Sequence, residues 1–480
     1  MLANSKTRLK MKYILLFLSI SILISCTNEQ PAKVTIDRSK AQVKHPPLGD
    51  LITANDLKKD LTELRILLDS VHPEPSFTMN IAEVKFQLKK FAEAITTPMT
   101  RLEAWKYLSQ LNPYFQDGHM VISYPEFTTA LNHHIDNGGR IFPLKVRIDK
   151  SHRIYVTDVK SIDKKINVGD RITAINGVEA SNIVNDILSR MHGDTVSNRL
   201  AFASERFAKM YWLLYGDTGY YQIDIKNDNG QNNYSVVGSD VKLGGSNHNI
   251  DEFTQRKLLG NNIGYLRIDR FYYTPDQEKA YFNFMEESWQ AFYNAKVQDV
   301  IIDVRNNPGG TDHYWQQGIA PYIANEPFLF VSQFKVRLTE RNLRLGPAQG
   351  ELGTIMEGPY DQLISVKKHN DLRISGKAYL LMGPLSYSSS VLFLTALQDS
   401  KQAIIAGQSS GARSCTTGRI ETSNLPGSKL EITLPTLILT RPSGKELCHQ
   451  PIQPDIFITD EPSDPAIAIK KLAKSIINRR

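Results

Sequence analysis

Lys377-Ala-Tyr-Leu-Leu-Met382 followed by Gly383-Pro-Leu-Ser-Tyr-Ser-Ser-Ser390 and Val391-Leu-Phe-Leu-Thr-Ala-Leu-Gln398 is the stretch on which the reading of this chain turns. The first six residues have the length and composition of a buried strand, Gly-Pro turns the chain, and Ser388 to Gln398 reads as a buried helix. A cluster of serines therefore sits where a strand hands over to a helix. The first N–H groups of a helix lack intrahelical partners and lie at its positive end, so negative charge forming on or beside a serine there is stabilised. A serine at a helix start can equally be a plain N-cap.

A second stretch makes the first more than a cap. Val300-Ile-Ile-Asp-Val304 reads as a buried strand, and Arg305-Asn-Asn-Pro-Gly-Gly310 as a turn in which glycine lets the backbone approach another group closely. Such a turn can offer a backbone donor to an oxyanion.

Asp303-Val-Arg-Asn-Asn-Pro-Gly-Gly310 and Ser386-Tyr-Ser-Ser-Ser390 together resemble the C-terminal processing (tail-specific) protease family, including its tricorn-like branch. The resemblance implies Ser388 as nucleophile, with Ser386 in reserve, and the N–H groups of Gly309 and Ser389 as the oxyanion hole. It also implies that strand and helix alternate through the core as a crotonase-like and Clp-like α/β spiral. That alternation runs from Asn262-Ile-Gly-Tyr-Leu-Arg-Ile268 through a helix over 277–295 to Ile405. The closing part of that core is Leu430-Glu-Ile-Thr-Leu-Pro435, then Pro454-Asp455.

A serine hydroxyl needs a base. In the bacterial branch of the family a lysine stands 25 residues after the serine; here that position is Arg413, which stays protonated and cannot serve. The remaining candidate among 11 histidines is His119, in Gln116-Asp-Gly-His119, because the tricorn-like branch carries its catalytic histidine in such a turn. His313 and His449 are its competitors. The third member, a glutamate in the segment before Pro454-Asp455, falls on Cys448, and Glu446 two residues away is the expected substitute. Asp399 reads as structural.

Outward from the core, Leu57, Leu61, Leu64 and Leu68, then Val84, Leu88, Phe91 and Ile95, then Leu102, Trp105 and Leu108 behind a Thr100-x-x-Glu103 capping box, predict a small helical bundle ended by Asn112-Pro113. From Pro143 the texture changes to alternating strands. Gly169-Asp-Arg-Ile-Thr-Ala-Ile-Asn-Gly177 resembles a PDZ domain, a module that captures an extended peptide as an added strand, although the usual glycine-rich carboxylate loop is not evident.

The N-terminus has the form of an export leader. Lys6, Arg8, Lys10 and Lys12 precede an apolar run, Tyr13 to Ile24, that is shorter than the roughly 20 residues of a membrane span, and Leu23-Ile-Ser-Cys26 resembles a bacterial lipoprotein signal lipidated at Cys26. Removing residues 1–25, with four positive charges and no acid, takes the net charge from +7 to +3. So weak a balance carries no basic stripe for nucleic acid. Cys415 and Cys448 then remain as a candidate disulfide in a compartment that permits one.

At 41% hydrophobic and 22% charged, the 480 residues are those of an ordinary globular protein of several domains. The expected organisation is an α/β multidomain chain: signal peptide 1–25, tether 26–49, helical bundle 50–115, linker 116–140 carrying the D-G-H turn, PDZ-like domain 141–245, protease core 250–462 and C-terminal helix 463–480. The expected function is a serine endopeptidase lipid-anchored in the cell envelope, acting on peptide or protein substrate without metal or cofactor. The alternative is an inactive peptide-binding lipoprotein on the same scaffold.

Overall fold

In the computed structural model the described residues are 43–159, 165–228, 230–242, 249–346, 349–366, 369–461 and 464–480. The leader and Cys26 lie outside them. The two apolar runs that decide the fold are strands Asp299–Asp303 and Ala378–Met382, buried along their whole length. They pair in parallel, Val300 opposite Ala378 through Asp303 opposite Leu381. Strands buried on both faces need no polar alternation, which is why these runs read as continuous apolar segments.

Around them a six-stranded sheet is laid down in chain order: Thr254–Leu258, Ile263–Ile268, Asp299–Asp303, Ala378–Met382, Ala403–Gly407 and Ile456–Phe457. Only the first pair is antiparallel. Helix Pro275–Asn294 supplies one crossover and opens with a capping box between Thr274 and Gln277. Helix Ser389–Asp399 is buried through most of its length, as an all-round apolar sequence demands.

A second sheet carries the other half of the site. Its order is Ile355–Pro359, Gln333–Arg337, Glu431–Thr440, Thr416–Asn424, and the short strand Val121–Ser123 pairs with Glu431–Thr433. Residues directly after the D-G-H turn are thus tied to the far end of the sequence. A third, antiparallel sheet comprises Lys145–Ile148, Ile154–Asp158, Arg171–Ile175, Tyr220–Asn227 and Gly230–Val237, with helices Ala180–Leu188, Val196–Glu205 and Phe207–Tyr215 nearby in sequence. The Asn176-Gly177 turn joins Arg171–Ile175 to Val178–Glu179.

The N-terminal helices are Ala54–Val71, Ile81–Ala94 and Arg101–Leu108, the last with the expected Thr100–Glu103 capping box. Two local readings are corrected. Asn112-Pro113 does not end the third helix, which stops at Leu108; it opens a further turn, Asn112–Phe115, where proline at the first positions gives up no hydrogen bond. The stretch read as a linker contains helix Phe127–Asp136, whose Phe127, Leu131 and Ile135 recur at helical spacing and are buried.

The described residues, from Val43 to Arg480, fall within one compact unit. Buried Asp60 on the first helix accepts the N–H groups of Gly427 (2.6 Å) and Ser428 (2.8 Å), and Lys335 pairs with Glu74 at 2.8 Å. Replacing Asp60 with alanine leaves one buried and one half-buried donor without their acceptor and is expected to lower unfolding stability by about 2–3 kcal/mol. Asp60→Asn, retaining one acceptor, is expected to cost less; urea unfolding of both variants measures the difference.

Candidate active site

Ser388 stands at the first position before helix Ser389–Asp399, with φ 53° and ψ −122°. For a residue with a side chain this is a sparsely populated conformation that costs of order 1–3 kcal/mol and persists only where surroundings impose it. Its side chain does not cap the helix. The Ser388 carbonyl accepts the N–H groups of Val391 (2.8 Å) and Leu392 (3.1 Å), while its Oγ lies 2.9 Å from His119 Nε2. The cap reading of this serine therefore gives way to a hydroxyl held on an imidazole. Ser386 is spent otherwise: its buried Oγ donates to the Val304 carbonyl at 2.7 Å and accepts the Gly383 N–H at 3.1 Å, fixing the Gly-Pro turn.

His119 is held by contacts from three segments. Its side chain is 14% exposed. Nδ1 lies 3.0 Å from Thr417 Oγ1 and 3.3 Å from the Tyr387 hydroxyl, and its backbone N–H donates to Asp117 Oδ1 at 2.7 Å. Gly118 is required between Asp117 and His119 because a Cβ there would fall 2.4 Å from the Tyr387 hydroxyl oxygen. Tyr387 donates to Asp194 Oδ1 at 2.9 Å, and that carboxylate also accepts the N–H groups of Gly118 (3.0 Å) and Arg413 (2.9 Å).

Arg413, at the position where a lysine base was sought, is a brace. Its guanidinium donates to the carbonyls of Gln116 and Thr78, holding the histidine turn from behind. His313 pairs loosely with Glu278 at 3.6 Å, and His449 packs on Phe77; the recorded contacts of both are away from Ser388. Asp399 binds Arg441 and the Ser443 N–H, as its structural reading requires.

Glu446 is not brought to the imidazole. It is exposed on the short turn Lys445–Leu447, while Thr417 and Tyr387 occupy the approach to Nδ1. The following residue but one explains the placement: Cys448 is bridged to Cys415, and the bridge fixes the segment that carries Glu446 beside the start of strand Thr416–Asn424. Sequence reasoning passed over Asp117, Thr417 and Tyr387. Asp117 was in view, two residues before His119.

Gly309 lies against Ser388: a Cβ added to it would fall 2.8 Å from the Ser388 Cβ. Its φ is +98°, and a Cβ there would come within 2.7 Å of the Tyr387 carbonyl and 2.8 Å of the Ser389 nitrogen. Its own N–H, however, donates to Asn307 Oδ1 at 2.8 Å. In this arrangement that amide is satisfied inside the turn, and Ser389, at the positive end of the helix, is the better placed oxyanion donor. The Ser389 hydroxyl donates to Asp312, whose carboxyl is pushed up to about 6 by burial, against the pull of the Ser389 and Trp315 hydrogen bonds.

The electrostatics favour a neutral imidazole. Burial lowers the His119 pKa below its ordinary value, partly opposed by the charges of Asp117 and Asp194. The two buried acids are driven apart: burial and the nearby Asp117 raise Asp194, whereas for Asp117 the opposing effect of burial is outweighed by His72, the His119 charge and the His119 N–H. What the group of residues can do is acid–base and nucleophilic chemistry at a serine.

Residues 262–458 match the model of peptidase family S41. The fold resembles mature CPAF complexed with lactacystin (14% identity, 89% of this chain and 99% of that one, TM-score 0.63) and mature CPAF alone (15%, 89% and 98%, 0.63). The photosystem II D1 C-terminal processing protease matches at 15% identity over 86% of this chain and 96% of its own, with TM-score 0.47. No curated protein sequence matches.

Because His119 must be neutral to accept a proton and its pKa is depressed, serine reactivity should persist on acidification through the usual histidine range and fall only below pH about 6.5. The rate of fluorophosphonate labelling across pH measures the midpoint; a midpoint at or above about 6.5 would contradict the depressed imidazole.

Proposed function

We propose that this chain, a serine peptidase of the C-terminal processing protease family with a family S41 core at residues 262–458, is an endopeptidase of the tricorn-like branch that uses His119 as its base. The observation that carries this reading is the 2.9 Å contact from Ser388 Oγ to His119 Nε2, made by a serine in a strained backbone conformation at a helix start. Ser388 attacks the scissile carbonyl, His119 takes the hydroxyl proton and returns it to the leaving amine, and water then resolves the acyl-enzyme by the same base. The developing oxyanion lies at the positive helix end, with the Ser389 N–H as donor, while the Gly309 N–H is bonded to Asn307 Oδ1.

The strand order of the core, which follows the chain, supports a crotonase-like and Clp-like spiral. The antiparallel sheet containing Arg171–Ile175 and the Asn176-Gly177 turn supports a PDZ-like role in holding extended peptide, and the three N-terminal helices support a bundle. A leader over residues 1–25 followed by Cys26 supports lipid anchoring in the cell envelope, and the Cys415–Cys448 bridge fits an oxidising compartment. Peptide or protein is the substrate class.

A fluorophosphonate probe is expected to label the purified protein on Ser388 and to leave Ser388→Ala unlabelled. His119→Ala should slow labelling and peptide hydrolysis by about 10⁴-fold or more. A wild-type protein that takes no label and cleaves no peptide would leave a peptide-holding lipoprotein as the reading.

A further inference from the structure

An imidazole that takes a proton at Nε2 must keep its other proton on Nδ1, and something must hold it there. Among the described residues no carboxylate does so directly: the nearer oxygen of Asp117 is 3.9 Å from Nδ1. The hydrogen-bonding position is filled by Thr417 Oγ1 at 3.0 Å. A hydroxyl has one proton, and that of Thr417 goes to Asp117 Oδ1 at 2.9 Å. Its lone pairs are left facing Nδ1, so the ring nitrogen must be the donor. The Tyr387 hydroxyl repeats the pattern, giving its proton to Asp194 and turning a lone pair toward Nδ1 at 3.3 Å.

Asp117 is built to stay where it is. It is fully buried, and Oδ1 accepts both the Thr417 hydroxyl and the His119 N–H. Oδ2 faces Nε2 of the equally buried His72 at 3.8 Å, and these two atoms have no hydrogen-bond partner among the described residues. His72 Nδ1 accepts the Glu74 N–H at 3.1 Å, so the proton of a neutral His72 is on Nε2, aimed at the free carboxylate oxygen. The charged or titratable groups around Asp117 are His72, His119, His192, Tyr387 and Asp194, the last with Arg413 3.9 Å beyond it.

We propose that Asp117 is the acidic positioning residue of this site and acts on His119 through the hydroxyl of Thr417, with His72 steadying the far side of the carboxylate. This rests on the serine peptidase reading of Ser388 and His119. No glutamate from the 446 segment is needed. As Ser388 gives up its proton, the imidazolium forms with Nδ1–H already bonded to Thr417, and the negative charge of Asp117 stabilises it across one hydroxyl. No proton moves along Thr417: the oxygen accepts from Nδ1 and donates to Asp117 before and after the step.

The test compares Asp117→Asn, Thr417→Val, Thr417→Ser and the double variant Asp117→Asn/Thr417→Val. Thr417→Val keeps the shape and removes the hydroxyl. It should lower kcat about 10²–10³-fold with KM little changed, and Thr417→Ser should restore most of the loss. Asp117→Asn should fall similarly and move the acid limb of kcat/KM to lower pH, because the charge favouring the imidazolium is gone. The double variant should fall no further than the worse single one, since the two residues act as a unit. Full kcat in Thr417→Val, or a double variant whose loss is the product of the singles, overturns the proposal.

A readout independent of turnover separates this idea from the peptidase reading. Nitrogen-15 NMR of His119 should show the Nδ1–H tautomer in the wild type and its loss in Thr417→Val. An Nε2–H tautomer in the wild type overturns the proposal even if peptides are cleaved. The Nδ1–H tautomer in a protein that cleaves nothing leaves the positioning intact and removes the peptidase.

Discussion

Everything at the site depends on one hydrogen bond between residues 269 positions apart, Ser388 Oγ to His119 Nε2. Neither partner is placed by its own local structure. The serine is held by the handover from strand Ala378–Met382 to helix Ser389–Asp399, in a backbone conformation that no propensity favours. The histidine is held by a turn pinned from outside, through Arg413 on the Gln116 carbonyl, Asp194 on the Gly118 N–H and strand Val121–Ser123 on Glu431–Thr433. Strain at Ser388 is tolerable because buried neighbours on both sides leave it nowhere to relax.

Buried charge is the second constraint. Asp117, Asp194 and Arg413 lie together in a region closed to water, where unpaired ions are costly. The cost is met by hydrogen bonds to nearly every charged oxygen, and what remains of it, burial and the charge of Asp117, raises Asp194. Arg413 shows how a scaffold reuses a position. An arginine cannot act as a base, but its planar fork suits it to two carbonyls at once.

Much of this was legible in the residues. Apolar runs with no alternation gave the buried strands, leucine spacing gave the N-terminal helices, and the Asp-Gly-His and Pro-Gly-Gly turns pointed to the two halves of the site. What stayed hidden was hidden for physical reasons. Thr417 is one threonine among several in a strand, and only the fold brings it to a histidine 298 residues earlier. The family pattern points to a downstream glutamate, yet Asp117, a carboxylate two residues before the histidine, is itself a signal in the sequence. The Asn307 side chain reaching the amide two residues on is an Asx turn, readable from Asn-Pro-Gly but easily set aside when that amide has been given another task.

The separation along the chain has a consequence for the time at which chemistry becomes available. A polypeptide made from its N-terminus holds the imidazole long before it holds the hydroxyl, and Thr417 arrives later still. Contacts of such span close late in folding. An unfinished copy therefore holds no contact between Ser388 and His119; the pair can form only once the segments around residues 119 and 388 have met.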